Sequence, residues 1–347
     1  MNDQEKLSII ADTWALKKTS HVPYIVETGK PHLATLDFYN NDAKELAWNE
    51  NYHASQLQVN DYNIPNVKPN VGIGIVAAAF GCENVPNNDA DPWIKPSINE
   101  ETIRNVYLLK KPDIKTNKVY ARAFDRLAYL QSHTNLPLRM LNIPSPLVVA
   151  SQIWDYTSFV ESTIAHPSEV HHLLGLVTTS IIEYVNEQLL KIRNLYTMGH
   201  EPFYIPKDIG LRISDDTAAV MSPNAFREFG LVYNTRIAEA FHGLIWHSCG
   251  DVSNVLSAVL ETPGLRGVDI VLPQNSWNRI KEVIANRVAI IARHYFFDHP
   301  QKDVDPVEYS KRLLDYFGNR GILILTSVPT LSDSIVVAKG LRQFCEY

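Results

Sequence analysis

The chain has 347 residues, and its 38 acidic side chains outnumber its 32 Lys and Arg, which gives a formal net charge of −6. Hydrophobic residues make up 45% of the sequence and charged residues 20%, a balance typical of globular proteins. The mild acidity and the lack of a dense Lys/Arg cluster argue against a nucleic-acid-binding face. No apolar run approaches the roughly 18 residues of a membrane-spanning helix, and the polar start lacks the apolar core of a signal peptide.

The numbers and spacing of cysteines and glycines exclude further classes of protein. The three cysteines are an odd and small number, so no disulfide framework is expected and a reducing cytoplasm fits. The 15 glycines form neither G-x-G-x-x-G nor G-x-x-x-x-G-K-[ST], so the two common nucleotide-phosphate loops are absent. We therefore expect a cytoplasmic protein that acts on a small molecule.

The predicted elements are irregular at first and become regular from about residue 98. A short amphipathic helix is predicted over residues 5–18, followed by strands, turns and loops rich in Asn and Pro. Later strands are predicted at residues 136–143, 203–214, 244–249, 267–271, 288–292 and 322–325, and the intervening helices include 167–193, 222–241 and 306–317.

This alternation of strands and helices predicts a parallel sheet with crossover helices. About six βα units are visible in the sequence, and two more from the N-terminal part would close a barrel. An open doubly wound sheet would show a glycine-rich first turn, which is missing. We predict a (β/α)8 TIM barrel with additional N-terminal helices. It forms a single domain over residues 1–347, with about 1–70 as an N-terminal extension with irregular loops.

In such a barrel the chemistry lies at the C-terminal ends of the strands. Polar residues follow several predicted strands and are the candidate site residues: Asp215 and Asp216, His247 and Cys249, Asp269, Arg293 and His294.

The most informative pair is His247 and Cys249. Strand side chains repeat with period two, so both point to the same face. Imidazole nitrogen together with thiolate sulfur suits zinc. The alternative is a buried thiol beside a hydrogen-bonded histidine, and a catalytic zinc site would need a third protein ligand as well.

The other candidates are two adjacent pairs. Neighbouring strand residues point apart, so at most one of Asp215 and Asp216 faces the barrel mouth. The alternative for that pair is a cap at a helix start, where acidic residues are favoured. Arg293 or His294 would hold an anionic substrate or a metal.

Several segments resemble the uroporphyrinogen decarboxylase superfamily. Residues 215–223 (DDTAAVMSP) and 226–229 (FREF) are similar to its central region, and residues 247–251 (HSCGD) are similar to the next landmark of its methyltransferase branch. Residues 137–150 and 79–83 resemble two further shared segments.

The resemblance implies a (β/α)8 barrel and one of two reactions. One is cofactor-free decarboxylation of a tetrapyrrole. The other is methyl transfer between a corrinoid and a thiol, with zinc on His-x-Cys and a later Cys. Where that later Cys is expected, this chain has Thr326 and Ser327. The remaining candidates for the third ligand are Asp215, Asp216, Asp269, His294, Cys82 and Glu83.

The resemblance therefore favours a zinc-dependent methyltransferase with His247 and Cys249 as ligands and Asp269 among the candidates for the third. Methylcobalamin is the implied methyl donor, and a corrinoid carrier protein and a homodimer are the implied partners. Asp215, Asp216, Arg293 and His294 are the predicted catalytic residues. Two alternatives remain open. One is a decarboxylase of a tetrapyrrole or another polycarboxylate, and the other is a non-catalytic barrel that binds a corrinoid or a metabolite.

Overall fold

The computed structural model describes residues 1–28, 40–87, 92–295 and 304–346. The strands in these residues are β1 (Tyr24–Thr28), β2 (Glu83–Val85), β3 (Trp93–Lys95), β4 (Leu138–Arg139), β5 (Leu195–Thr197), β6 (Leu211–Ser214), β7 (Leu244–Ser248), β8 (Leu265–Val271), β9 (Ala289–Tyr295) and β10 (Ile322–Val328). A parallel sheet has the strand order β1-β10-β9-β8-β7-β6, while β4 pairs with β5 in parallel and β2 with β3 antiparallel.

Helices cover the sheet and connect its strands. The α-helices run over Asp3–Trp14, Asp42–Gln56, Ile75–Ala79, Lys118–His133, Pro146–Ile153, Tyr156–Ala165, Pro167–Lys191, Pro223–Ala225, Val232–Ala240, Leu256–Leu260, Trp277–Val283, Pro306–Phe317 and Leu331–Cys345. Shorter 3-10 segments lie at Glu100–Leu108, Asp216–Val220 and Leu272–Gln274, and a π-helical turn lies at Phe226–Leu231. Ser222 caps its helix: its side chain accepts a hydrogen bond from the Ala225 amide, and Pro223 occupies the first helical position.

Backbone hydrogen bonds also connect β1 to β6, the two outer strands of this sheet, through two intermediate segments. The Tyr62 amide donates to the Tyr24 carbonyl, and Val67 pairs in parallel with Leu138 of β4. The chain after β4 then reaches β6, where Pro144 pairs with Ser214. With the segment around 62–67 and the extended chain from β4 to Pro144 counted as strands, the described residues trace a ring of eight members. The strand β5 lies between β4 and β6 at the end where these strands begin, since the Met140 amide donates to the Gly199 carbonyl and the Arg212 amide to the Met198 carbonyl. The (β/α)8 class is confirmed, and the first 70 residues, predicted as an extension, also build part of the barrel.

The N-terminal helix closes the end of the barrel where the strands begin. It starts with a capping box, in which the Asn2 side chain accepts from the Glu5 amide and the Glu5 carboxylate accepts from the Asn2 amide. Near its end, the Trp14 indole donates to the Tyr204 carbonyl and packs against Gly267 at the start of β8. A Cβ at residue 267 would collide with the Trp14 ring. The additional N-terminal helix thus acts as a plug on the end opposite the expected site.

Two glycines set the relative height of β6 and β7. Gly210 precedes β6 with a φ of +127°, and Gly243 precedes β7 with a φ of +156°. A Cβ on Gly210 would fall on the backbone of Gly243, and a Cβ on Gly243 would fall on the carbonyl of Ile209. From this contact the strands run in register, with Ser214 of β6 opposite His247 of β7.

Among the described residues, the structure holds no helix with both the length and the apolar character required to cross a bilayer.

Candidate metal centre

The strands β6 and β7 end side by side and carry the candidate residues. The Asp215 amide donates to the His247 carbonyl over 2.7 Å, which keeps the two strand ends in contact. Asp216 and Cys249 follow directly, and the Cys249 amide donates to Asp216 Oδ1 over 2.6 Å. This hydrogen bond holds a carboxylate beside a thiol at the open end of the barrel.

Asp216, His247 and Cys249 form a cluster of three donor groups. A carboxylate oxygen, an imidazole nitrogen and the thiol sulfur lie within 4.8 Å of one another, and His247 Nε2 is 3.2 Å from Cys249 Sγ. His247 is buried, whereas Asp216 and Cys249 are exposed. Three protein ligands with an open side are the arrangement of catalytic zinc sites.

The hydrogen bonds of His247 fix which ring nitrogen faces the cluster. Nδ1 lies 2.7 Å from the backbone carbonyl of Asp269. A carbonyl oxygen only accepts, so Nδ1 carries the proton and Nε2 presents its lone pair toward Cys249. This is the tautomer that a metal on Nε2 requires, so the donor set fits a zinc ion.

The Cys249 thiol is protonated at neutral pH in the metal-free protein. Desolvation and the neighbouring Asp216 and Asp269 carboxylates raise its pKa to about 12, against the opposing effect of Arg293 and Arg212. A thiolate at this position therefore needs a cation beside it.

Asp269 is fully buried and lies behind His247 rather than in the donor cluster. Arg212 donates to its Oδ2 from Nε at 2.8 Å, and Arg293 donates from Nη2 at 2.7 Å and also from Nε to Oδ1. Burial alone would raise the pKa of Asp269, but Arg293, His247 and Arg212 hold it well below its usual range. Its carboxylate is thus bound by two guanidinium groups. The third donor of the cluster, for which Asp269 was a candidate from the sequence, is Asp216.

Two further members of this buried cluster were missed in the sequence. Glu201 Oε2 lies 2.8 Å from Arg293 Nη2, and His200 Nε2 accepts from Arg212 Nη1 over 3.2 Å. Burial and Arg212 hold the pKa of His200 well below its usual value, so its ring is neutral. The signal was an apolar run at residues 195–198 followed by Gly-His-Glu-Pro, the same strand-then-polar pattern used elsewhere.

Asp215 and Asp216 are adjacent in the sequence but lie in different environments. Asp215 is buried and accepts hydrogen bonds from Ser145 Oγ at 2.7 Å, Trp246 Nε1 at 2.8 Å and Asn234 Nδ2 at 3.1 Å. Burial raises the pKa of its carboxyl. Both residues follow the end of β6, and only Asp216, which begins the 3-10 segment Asp216–Val220, reaches the exposed cluster.

His294 lies away from Arg293, on the side of β9 that packs against the helix Pro306–Phe317. Its Nε2 is 3.2 Å from Ser310 Oγ, and its ring centroid is 4.9 Å from that of Tyr309. Burial lowers its pKa to about 3. The structure thus places this predicted catalytic histidine in the packing between sheet and helix.

The remaining candidates for the third ligand are also elsewhere. The buried thiol of Cys82 lies 3.5 Å from Ser97 Oγ, and Glu83 begins the β2–β3 hairpin. Thr326 donates to the carbonyl of His294 and is fully buried, and Ser327 is 9% exposed.

Comparison with known proteins supports the resemblance found in the sequence. The family model "Uroporphyrinogen decarboxylase (URO-D)" matches residues 50–192, which confirms the resemblance to this superfamily. The match ends before Asp215, so the residues of the metal cluster lie outside it. A search of curated proteins found no match.

Solved structures extend the similarity over the full barrel. A methyltransferase from Methanosarcina mazei has 16% identity and a TM-score of 0.72, with 98% of each chain covered. A putative vitamin-B12-independent methionine synthase from Listeria monocytogenes has 11% identity and a TM-score of 0.47, with 93% of this chain and 96% of that chain covered. At these sequence identities the similarity concerns the fold alone. The TM-score of the methionine synthase structure is too low to support an argument.

Proposed function

We propose that the protein is a zinc-dependent methyltransferase that moves a methyl group from a corrinoid to a thiol. The observation that carries this proposal is the cluster of Asp216, His247 and Cys249 at the open end of the barrel, with His247 Nε2 and Cys249 Sγ 3.2 Å apart. The resemblance to the uroporphyrinogen decarboxylase superfamily and the methyltransferase fold support it.

The chain's residues have distinct roles in this proposal. A zinc ion bound there would lower the pKa of a substrate thiol and so favour its thiolate. His247 offers Nε2 because the Asp269 carbonyl holds the proton on Nδ1. Asp216 supplies an oxygen ligand and is kept near Cys249 by the Cys249 amide. The thiolate sulfur would form the new S–C bond with its lone pair, the corrinoid cobalt would keep the electron pair of the broken Co–C bond, and the thiol proton would pass to solvent.

The buried arginines argue against the decarboxylase alternative. Carboxylates of a tetrapyrrole would need free cationic groups, and the strand-associated arginines are already committed. Arg212 and Arg293 bind Asp269 and lie beside Glu201, and Arg139 donates to the Asn66 side chain over 2.6 Å. Opening these pairs to a substrate would leave buried carboxylates without their counter-charges.

The direct test is the zinc content of protein purified without chelator. We expect near-stoichiometric zinc in the wild type and loss of zinc in His247→Ala/Cys249→Ser. The matched control is His133→Ala/Cys82→Ser, which changes the same residue types outside the cluster and keeps its zinc. Asp216→Asn should weaken zinc binding by more than the roughly 10- to 100-fold that loss of an outer hydrogen-bond partner costs.

A methyl-transfer assay follows, with methylcobalamin and a panel of small thiols. Disappearance of the thiol together with demethylation of the cobalamin supports the proposal. If the wild type holds no zinc and gains none on dialysis, the metal-dependent methyltransferase is excluded. Cobalamin binding without turnover would instead identify a corrinoid-binding barrel.

A further inference from the structure

We propose that Asp269, Arg293 and Glu201 are positioning residues that set the zinc affinity of the site without ligating the metal. The proposal rests on the proposed function, since it assumes that Asp216, His247 and Cys249 hold a cation. It adds that affinity is determined partly by a buried ionic cluster behind His247.

The first link is between Asp269 and His247. The backbone carbonyl of Asp269 lies 2.7 Å from His247 Nδ1, and its side-chain Oδ2 lies 3.3 Å from the same atom. One residue thus presents two acceptors to one N–H group. The carboxylate makes the imidazole a better electron donor and opposes rotation of the ring, and both effects favour a metal on Nε2.

The second link holds the Asp269 carboxylate in place. Arg212 approaches Oδ2 from Nε at 2.8 Å and from Nη2 at 2.7 Å, and Arg293 binds both oxygens. Paired N–H donors in a planar fork fix the plane of a carboxylate as well as its position. Asp269 is therefore kept beside Nδ1 and away from the ligand set.

The third link is the charge balance supplied by Glu201. Its Oε2 is 2.8 Å from Arg293 Nη2, and its Oε1 is 3.6 Å from Arg212 Nη2. Among the described residues, the ion pairs of this cluster join two guanidinium groups to two carboxylates, and Lys68 adds a further positive charge near Glu201. Losing the Glu201 charge would make the net charge directly behind a cation site more positive by one. Low local dielectric makes that repulsion larger than it would be in water.

The test compares zinc dissociation constants, measured by competition with a chromophoric chelator, in the wild type, Asp269→Asn and Glu201→Gln. We expect Asp269→Asn to bind zinc about 10- to 100-fold more weakly. Glu201→Gln should weaken zinc in the same direction by a smaller factor. Its side chain is 16% exposed, so this variant should fold even if Asp269→Asn does not.

The control is Arg126→Gln, which removes a buried arginine from a different carboxylate cluster. Arg126 is 3% exposed and binds Asp42 and Glu45. This variant should lower Tm and leave the zinc dissociation constant unchanged. If Glu201→Gln and Asp269→Asn also lower Tm and leave the zinc dissociation constant unchanged, the role of these two residues is structural and the inference is wrong.

A measurement on the metal-free protein separates this inference from the proposed function. Nitrogen-15 spectra of labelled histidine report the His247 tautomer, which we expect to be Nδ1–H in the wild type. In Asp269→Asn the backbone carbonyl still accepts from Nδ1, but the second, charged acceptor is gone, so the Nδ1 resonance should shift and an Nε2–H population should become detectable. An unchanged Nδ1 resonance with unchanged zinc affinity would overturn the inference. A wild type that binds no zinc would overturn the proposed function, while the tautomer would still test how His247 is held.

Discussion

Arginines face carboxylates both inside the barrel and outside it, and the two clusters differ in how evenly the carboxylates share the arginines. Inside, Arg212 and Arg293 both contact Asp269 and Glu201. Burial would raise the pKa of Glu201, but Arg293 and Arg212 hold it well below its usual range. Each buried carboxylate therefore keeps its negative charge.

Outside, two arginines also meet two carboxylates, but one carboxylate receives most of the contacts. Asp42 accepts two hydrogen bonds from Arg122, at 2.9 and 2.7 Å, and one from Arg126 at 2.9 Å. Glu45 Oε1 accepts from the Asn70 amide over 2.7 Å, but Oε2 lies 3.4 Å from Arg126 Nε and accepts no hydrogen bond among the described residues. Burial consequently raises the pKa of Glu45 to about 7. Equal numbers of charges do not guarantee ionisation, because the geometry of sharing decides it.

The largest effect should come from removing one arginine of the inner cluster. Arg212→Met leaves buried carboxylate charge uncompensated, so the free energy of unfolding should fall by about 3–5 kcal/mol. Arg122→Met is the matched variant, because its side chain is 47% exposed. It should cost less than about 1 kcal/mol. Urea unfolding measures both, and equal losses would contradict the difference between the clusters.

A pH-dependent effect of intermediate size is expected at Glu45. Its pKa of about 7 in the folded protein is above the usual value of 4.5 for a glutamate side chain. Its contribution to stability is thus complete below the unfolded pKa and is lost as the pH rises through 7. The loss amounts to about 3 kcal/mol at alkaline pH. Glu45→Gln should therefore be more stable than the wild type at about pH 8.5, with little advantage at about pH 5. A difference that does not change with pH would show that Glu45 stays ionised.

Asp215 offers a third case, a buried carboxylate whose described hydrogen-bond partners are neutral donors. Its three hydrogen bonds come from a hydroxyl, an indole and an amide. Asp215→Asn turns one acceptor into a donor facing these groups, so stability should fall by about 1–3 kcal/mol. Zinc content should persist, in contrast to Asp216→Asn. If Asp215→Asn loses its zinc although the variant is fully folded, Asp215 takes part in metal binding directly.

The smallest effect is expected at His294. Because it packs between β9 and the helix Pro306–Phe317, His294→Gln should leave the zinc dissociation constant unchanged. The neighbouring Arg293→Gln should weaken zinc through Asp269. Zinc dissociation constants of the two variants, measured by chelator competition, show whether the inner or the outer face of β9 influences the metal site. Equal constants would contradict this assignment.

The sequence predicts the barrel well because period-two and period-3.6 patterns reflect burial directly. The helix over residues 306–317 has the predicted bounds, and the strand containing His247 runs over Leu244–Ser248. The His247/Cys249 pair follows from strand alternation alone. Asp216 was one of several candidates for the third ligand, since the choice depends on how the loops after β6 and β7 approach each other.

The inner cluster was harder to predict because its members come from separate strands. Arg212, Asp269 and Arg293 were each visible at strand ends, but their mutual pairing depends on the inward face of the closed ring. Glu201 was missed because β5 spans only Leu195–Thr197. Three residues are too few for periodicity to reveal a strand. His294 was misplaced because a strand end does not by itself show which face a residue takes.

The contact between Gly210 and Gly243 has a consequence for genetic screens. These glycines fix the starting level of β6 and β7, and the metal cluster lies at the far ends of the same strands. The four residues of β6, about 13 Å of strand, separate Gly210 from the turn that carries Asp216. A methyl group added at either glycine would displace one strand along the other and move Asp216 relative to Cys249. A selection for loss of metal would thus recover lesions at the closed end of the barrel, and no side-chain change in the partner glycine could relieve either one, because the added Cβ meets backbone atoms.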